Sequence, residues 1–485
     1  MKSSRTFAKL HKQAKTMEYF VDSHSHINSD RFEYVDELIQ RANSVNVKYV
    51  IVPGWDIKSS EKAVKLAETY ECVYAMVGFH PHEASNVDHA SLKSLEELSL
   101  HPKVVAIGEI GLDYHYNFSP PEVQRRIFEE QILIAKDRKL PISIHSRESD
   151  SDLLHILEHH VKDWNLPKRF PYQIKSQPKG VLHSFNSPLS TARKGVDLGF
   201  YIGISGMITF RNKKSENPLF STLQQIQPEH ILLETDAPYL TPFPHRGQIN
   251  EPSYIPIIAA AVAAAEHLTT EDVARITSYN AYKLFGIGEQ PEPRFTYKIN
   301  NSLYINLTLR CDSDCIFCDR KGEAMVKGYN LHIEREPSIE ELISEIDDPT
   351  KYDEIVFCGY GEPTIRLDVL KQVAEFVKSR GGKTRLDTDG HGNLINHRNI
   401  IPELVGLIDS ISISINSIDP DEYGRLMQVK PHPYFEEMMR FAIEAREKIG
   451  NVTMTAVEFD GIDIDETRKF VEQQLKAKFK SRPLF

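Results

Sequence analysis

Phe20-Val21-Asp22-Ser23-His24-Ser25-His26 is a short β-rich run that ends in two imidazoles two residues apart. A strand repeats every two residues, so His24 and His26 share one face. Runs of the same kind recur down the chain. They fall at 19–26, 47–53, 73–79, 103–109, 141–145, 180–184, 200–205 and 230–236, and alternate with helical stretches such as 35–44, 60–70, 122–137 and 254–267. This alternation builds a parallel sheet with crossover helices. Eight repeats predict an α/β architecture closed as a (β/α)8 TIM-like barrel over residues 18–288.

The strand ends carry further ligand-type residues. Glu109 ends the fourth run, His145 the fifth, His183 the sixth and Asp236 the eighth. A lone histidine in a strand is usually structural. Six such residues at the C-terminal ends of five strands lie together on the face where barrel enzymes place chemistry. Four imidazoles and two carboxylates suit Zn²⁺, Mn²⁺ or Fe²⁺, with Mg²⁺ at an oxygen-richer position. The set exceeds one ion's needs, which points to two divalent ions bridged by a carboxylate. Such a pair stabilises both oxygens of a cleaved phosphodiester and lowers the pKa of bound water.

A linker with Pro291 and Pro293 spans 289–297, and the alternation then restarts. Strands are expected at 303–310, 354–358, 383–387, 410–415, 451–458 and 477–483, with helices at 338–346, 367–380, 398–408, 434–448 and 465–476. Six strands predict a partial (β/α)6 barrel over 298–485. Cys311, Cys315 and Cys318 follow its first strand directly. Three thiolates at this spacing hold three irons of a cubane cluster and leave the fourth open. The alternative is a zinc knuckle completed by Cys358 or His332, although zinc sites usually come as two CxxC-like pairs. Cys358 itself reads as a small hydrophobe.

Bulk properties set the frame. A chain of 485 residues is too long for one core. Hydrophobic and charged contents of 40% and 26% describe a globular protein. A net charge of −11 gives no global basic footprint, so any nucleic-acid contact must be local. It does not exclude a nuclease whose ions supply positive charge. Four of the five cysteines fall between 311 and 358, and no secretory signal is evident, which reads as metal binding in a reducing, cytoplasmic setting. No apolar run approaches the roughly 18 residues of a membrane span. Residues 1–17 form a basic tail (Lys2, Arg5, Lys9, Lys12, Lys15), and Met17 offers an alternative start. The insertion 162–179 interleaves Lys162, Trp164, Lys168, Arg169, Phe170, Tyr172 and Lys175, a nucleic-acid-like mixture. It joins a helix to the next strand, however, and so falls on the face away from the chemistry.

The first half resembles the TatD family of metal-dependent deoxyribonucleases. The resemblance rests on the opening run, on Gly78-Phe79-His80-Pro81-His82, on Gly108-Glu109-Ile110-Gly111-Leu112-Asp113-Tyr114, on Ile144-His145-Ser146-Arg147 and on Leu232-Leu233-Glu234-Thr235-Asp236-Ala237-Pro238-Tyr239. Pro244-His245-Arg246-Gly247 and Asn250-Glu251-Pro252 continue it. It implies hydrolysis of DNA phosphodiesters, with His24, His26, Glu109, His145, His183 and Asp236 as ligands of two ions (Mg, Mn or Zn). Glu109 would bridge the ions and Asp236 would orient the water, which makes these two the catalytic pair. His80, His82, Arg147 and Arg246 would hold the DNA or nucleotide substrate. Wider amidohydrolases often bridge their metals with a modified lysine from the fourth strand, and Glu109 in that place favours phosphodiester cleavage.

The second half is similar to the radical SAM superfamily, and closest to small members associated with TatD nucleases. Besides the three cysteines it shares the turn Phe357-Cys358-Gly359-Tyr360-Gly361-Glu362-Pro363, a variant of the family's Gly-Gly-Glu type. The resemblance implies a [4Fe–4S] cluster on Cys311, Cys315 and Cys318. It also implies S-adenosyl-L-methionine beside Gly359, Gly361, Glu362 and Asn416. Reductive cleavage to a 5′-deoxyadenosyl radical would follow, with an electron donor such as flavodoxin or ferredoxin. A second reading couples the two halves, the barrel hydrolysing a nucleotide-like or phosphorylated metabolite of the radical step.

Overall fold

The computed structural model describes residues 18–116, 118–167, 177–210 and 217–483. The basic tail and the centre of the 162–179 insertion lie outside them. The chain divides into two compact units, Met1–Pro291 and Glu292–Phe485.

In the first unit the eight expected strands are β1 (Phe20–Asp22), β2 (Val47–Pro53), β3 (Val73–Val77), β4 (Val104–Asp113), β5 (Ile142–Arg147), β6 (Gly180–Leu182), β7 (Phe200–Ile204) and β8 (Ile231–Leu233). Each pairs in parallel with the next. The seam between first and last closes through hydrogen bonds. Ser23 N–H donates to Leu233 O at 3.0 Å, Asp236 N–H to His24 O at 2.9 Å and His26 N–H to Ala237 O at 2.7 Å. Ile51, Met76, Ile107, Ile144 and Ile202 fill the sheet and are fully buried. Helices Ile57–Thr69, Pro121–Arg138, Ile255–Glu266 and Thr270–Phe285 are among the outer layer. Asp56 starts the first of these, accepting from Ser59 N–H in a reciprocal capping box.

β4 contains an irregularity that a strand pattern does not announce. Ile107 pairs with Ile142 but Ile110 pairs with Ile144, so one extra residue is absorbed at Gly108 and Glu109. Such a bulge re-aims a side chain, and here the side chain is Glu109.

The second unit holds a seven-stranded sheet in which β9 (Thr296–Ile299) pairs with β10 (Ser302–Asn306). A small hairpin, β11 (Met325–Val326) and β12 (Tyr329–Asn330), follows. The sheet continues through β13 (Ile355–Cys358), β14 (Thr384–Thr388), β15 (Ser410–Ser414), β16 (Val452–Glu458) and β17 (Lys478–Pro483), in the order β17-β16-β15-β14-β13-β10-β9. The six expected strands are parallel, as a half-barrel requires. β9 is additional and antiparallel. It begins at Thr296, inside the stretch read from sequence as linker. Asn300 turns the chain with φ 52°, a conformation asparagine tolerates in tight hairpins.

Alternation sorts the two faces of this sheet. Ile305, Phe357, Leu386, Ile413 and Met454 point to the helices and are buried. Tyr304, Arg385, Asp387, Ser412, Thr453 and Lys480 line a cavity of about 690 Å³ on the other face. Among the described residues no helix is long and apolar enough to cross a membrane.

Candidate functional site

At the C-terminal end of the barrel the six sequence-read residues converge on one carboxylate. Glu109 Oε2 lies 3.4 Å from Nε2 of both His24 and His26. Its Oε1 lies 3.0 Å from His145 Nδ1 and 3.8 Å from His183 Nε2. Asp236 Oδ1 is 3.6 Å from His26 Nε2 and 3.7 Å from His183 Nε2. Three donor groups have ligand atoms within 4.8 Å of one another: His24, His183 and Asp236; His24, His26 and Glu109; His80, Glu109 and His145. The donor chemistry and the shared carboxylate fit a pair of divalent ions. His80, read from sequence as a substrate contact, stands inside this cluster, 3.6 Å from Glu109 Oε1.

The electrostatics follow from that crowding. Burial pushes the Glu109 carboxyl up, but the surrounding imidazoles hold it well below its ordinary value. Burial lowers His145, yet Asp113 and Glu109 outweigh it and carry its pKa up to about 9. His183 rises to about 10 against burial, driven by Glu234, Asp236 and Glu109. His24 is pressed down by burial and by His183, against which its ring stacks at 3.5 Å. Asp236 is raised to about 6 by burial, with His183 opposing.

A ring of supporting residues escaped the sequence reading as a set. Asp113 Oδ2 lies 3.1 Å from His145 Nε2 and 3.0 Å from His82 Nε2, so it orients both rings. Glu234 Oε1 sits 3.0 Å from His183 Nδ1. Asp22, fully buried, accepts from Thr235 N–H at 2.9 Å and from Thr235 Oγ1–H at 2.6 Å. Asp113 and Glu234 are thus carboxylates behind imidazoles, which fix ring orientation and make the outward nitrogen a better donor, while Asp22 ties the backbone of the seam. All three lie inside the quoted runs, Asp22 and Glu234 two residues before a ligand and Asp113 four after Glu109, which was the available signal. Asn250 and Glu251 hold the loop after β8. Asn250 Nδ2 donates to Thr235 O at 2.7 Å, and Glu251 pairs with Arg41 Nη2 at 2.7 Å.

Of the other substrate candidates, His82 packs edge-on against both Tyr116 and Phe118. Those two rings stack nearly parallel, 5.6 Å apart and 11° off, and are 51% and 66% exposed. Exposed Arg147 caps Tyr116 at 4.7 Å. Arg246 lies over the Phe210 ring at 3.9 Å and donates to Thr241 O, in the loops after β7 and β8.

In the second unit the cysteine loop follows β10 and is tied down by backbone. Asp314 N–H donates to Met427 O and Ile316 N–H to Leu426 O, both at 3.0 Å. Cys311, Cys315 and Cys318 all line the cavity. Among the described residues the one three-residue donor group within 4.8 Å that includes a loop cysteine joins Cys311 to Asp312 and Asp389, with no second cysteine and no His332, which does not match a zinc knuckle. Cys358 Sγ lies 3.2 Å from Tyr297 Oη. Burial raises all three loop thiols, Cys315 up to about 12, so a metal is needed to make them thiolates. Three thiols around one cavity fit a cluster with an open iron.

Gly359 and Gly361 line that cavity, but their missing side chains serve the fold. A Cβ on Gly359, at φ +122°, would meet Asn306 Oδ1 at 2.6 Å, and one on Gly361 would meet Thr308 O at 2.2 Å. They let the turn after β13 close on the strand leading to the cysteines. Glu362 is engaged by Thr364 Oγ1–H at 2.6 Å, Thr388 Oγ1–H at 2.9 Å and Asp389 N–H at 2.9 Å. Asn416 accepts from Val457 N–H at 3.1 Å and its Nδ2 lies 3.3 Å from Met427 Sδ. Both side chains therefore brace the wall. Beside Cys311, His391 Nδ1 sits 3.0 Å from Asp312 Oδ2 and its Nε2 2.7 Å from Tyr423 Oη.

Comparison with known proteins follows the same division. The family model for TatD related DNase matches residues 21–286, and that for the Radical SAM superfamily matches 305–473. An uncharacterized metal-dependent hydrolase, YabD of Bacillus subtilis, is 36% identical over 267 residues, covering 55% of this chain and 98% of its own length. The 3'-5' ssDNA/RNA exonuclease TatD of Klebsiella pneumoniae is 34% identical over 256 residues, covering 52% of this chain and 92% of its own. The crystal structure of the TatD homologue YJJV from Escherichia coli is 30% identical with a TM-score of 0.51, covering 56% of this chain and all of that one.

Proposed function

Because the chain belongs to the TatD related DNase family through residues 21–286 and carries a Radical SAM superfamily domain at 305–473, we propose that it is a bifunctional enzyme. Its first unit shortens single-stranded nucleic acid, and its second cleaves S-adenosylmethionine reductively to act on a separate substrate. The observation that carries the first half is the sharing of Glu109 between two donor groups. His24, His26, Glu109, His145, His183 and Asp236 would hold two divalent ions, with four imidazoles favouring Mn²⁺ or Zn²⁺ over Mg²⁺. When bound, the ions supply Lewis acidity and lower the pKa of a water.

The chain's own groups do the rest. Asp236, with a pKa near 6 in the protein alone, is mainly a carboxylate at neutral pH and can accept a proton from an attacking water. Arg147 offers a fork to a phosphate, and the exposed Tyr116–Phe118 pair offers flat faces to unpaired bases. The name of the Klebsiella relative supports exonucleolytic action from a 3′ end.

In the second unit Cys311, Cys315 and Cys318 would hold a [4Fe–4S] cluster, with S-adenosylmethionine near the turn containing Gly359 and Gly361. The loaded cluster supplies the electron for the cleavage, taken from a flavodoxin- or ferredoxin-type donor.

Purified protein with Mn²⁺ should shorten an end-labelled single-stranded oligonucleotide, and His145→Ala should not. Equal behaviour of the two proteins would sink the nuclease reading. Anaerobic incubation with dithionite and S-adenosylmethionine should release 5′-deoxyadenosine from the wild type only. Release by Cys315→Ala as well would sink the radical reading.

A further inference from the structure

The concave face of the second sheet carries charges that are unevenly matched. Arg385 on β14 is compensated, since its Nη1 meets Glu354 and its Nε donates to Asp387 at 2.9 Å. Arg482 on β17 is not. Its Nη2 donates to Ser414 Oγ at 3.1 Å, while its Nε is buried with no hydrogen-bond partner. Among the described residues no carboxylate forms an ion pair with it. Lys478 and Lys480 stand four and two residues earlier on the same strand, and all three line the cavity that also holds the cysteines. Arg482 is half-buried with its Nε fully out of water, and a cationic donor removed from water without a partner is costly. Burial indeed pulls the Arg482 pKa down, with the more distant Asp387 working against it. No described residue supplies the partner, and an anion from outside the chain would do so.

The rest of the cavity narrows the kind of molecule. Ser412, Thr453 and Thr455 line it beside β17 with hydroxyls. Tyr297 and Tyr304, stacked 5.2 Å apart, wall the side formed by β9 and β10. A volume of about 690 Å³ is that of a small-molecule site and not of a groove for a polymer. We infer that Arg482, assisted by Lys478 and Lys480, binds the phosphate or carboxylate of a polar small molecule held inside the half-barrel. Phosphate and carboxylate present the same forked acceptor to a guanidinium. The anion comes either from a phosphorylated substrate or from the methionine carboxylate of S-adenosylmethionine. A nucleoside monophosphate is the phosphorylated probe of choice, since the first unit's proposed reaction would release one. That choice rests on the proposed function. The assay itself needs no turnover, so failure of either reaction and failure of this site are separate results.

Full-length protein, cluster-loaded under anaerobic conditions, is titrated calorimetrically with deoxyadenosine 5′-monophosphate and with S-adenosylmethionine. Wild type, Arg482→Gln and Arg482→Lys are compared, with uncharged deoxyadenosine as control. Nucleotide bound at the barrel is common to all three proteins and cancels. Arg482→Gln should weaken one of the two ligands by at least about tenfold. Arg482→Lys should restore part of the loss, and deoxyadenosine should be unaffected. The ligand that weakens identifies the source of the anion. Affinities unchanged for both ligands overturn the inference. A second measurement needs no variant: phenylglyoxal labelling of wild-type Arg482, read by mass spectrometry, should be slowed by one of the two ligands. Equal labelling with and without each of them likewise overturns it.

Discussion

Behind two imidazoles of the proposed metal centre stand carboxylates outside the ligand set. Glu234 sits 3.0 Å from His183 Nδ1, and Asp113 stands 3.1 Å from His145 Nε2. Supports of this kind typically carry a 10–100-fold effect on metal affinity. Glu234→Gln and Asp113→Asn should therefore each weaken Mn²⁺ binding by about that factor, measured by equilibrium dialysis, with far-UV circular dichroism unchanged. Undiminished affinity in both would remove the supporting role. The same network sets a pH dependence. In the metal-free protein His145 and His183 are held up to about 9 and about 10, above the ordinary imidazole value, so both carry protons at neutral pH. An imidazole must shed its proton to ligate a metal, and apparent affinity should rise with pH through the neutral range towards those values. Calorimetric titration of Mn²⁺ in two buffers of different ionisation heat would reveal the released protons. Identical heats in the two buffers would contradict the assignment.

Elements hold these residues through a few narrow junctions. One is the barrel seam, where Thr235 after β8 donates both its N–H and its hydroxyl to Asp22 at the end of β1. Thr235→Val removes the hydroxyl and leaves a buried carboxyl short of a donor, which should cost about 1–3 kcal/mol in denaturant unfolding. A second junction is the turn after β13, where a Cβ at Gly361 would stand 2.2 Å from Thr308 O, just ahead of the cysteine loop. Gly361→Ala should displace that loop and lower iron per chain after anaerobic reconstitution, whereas full iron content would show the turn to be slack. The alternation of strands and helices was legible from sequence, because period-two runs ending in His or Asp announce both a strand and its catalytic end. The bulge at Gly108 and Glu109 was not, since register is a property of two strands and β4 reads as continuous by itself. The hairpin β9–β10 carried a signal in Asn300-Asn301, masked by the neighbouring prolines. Arg482 stands in an alternating Lys478, Lys480, Arg482 run that reads from sequence as an ordinary solvated strand face. Its meaning comes from what fails to surround it in space.

At the scale of the whole chain the two chemistries rest on separate foundations. The first apolar core draws on residues from Phe20 to Ala274 and the second on Leu303 to Leu475, with no member in common. The donor sets share no residue, imidazoles with carboxylates in one unit and a thiol with the Asp312 and Asp389 carboxylates in the other. Losing one site should therefore leave the other loaded. In Cys315→Ala, metal analysis of anaerobically prepared full-length protein should show the roughly four irons of a cubane gone. The barrel's divalent ions and its shortening of single-stranded DNA should persist. In His183→Ala the pattern should invert, with iron and 5′-deoxyadenosine release retained and the hydrolytic activity lost. If either variant instead abolished both activities while remaining folded, the sites would be chemically interdependent. The chain would then carry out one sequential reaction, and its substrate would have to be sought among molecules that both sites can bind.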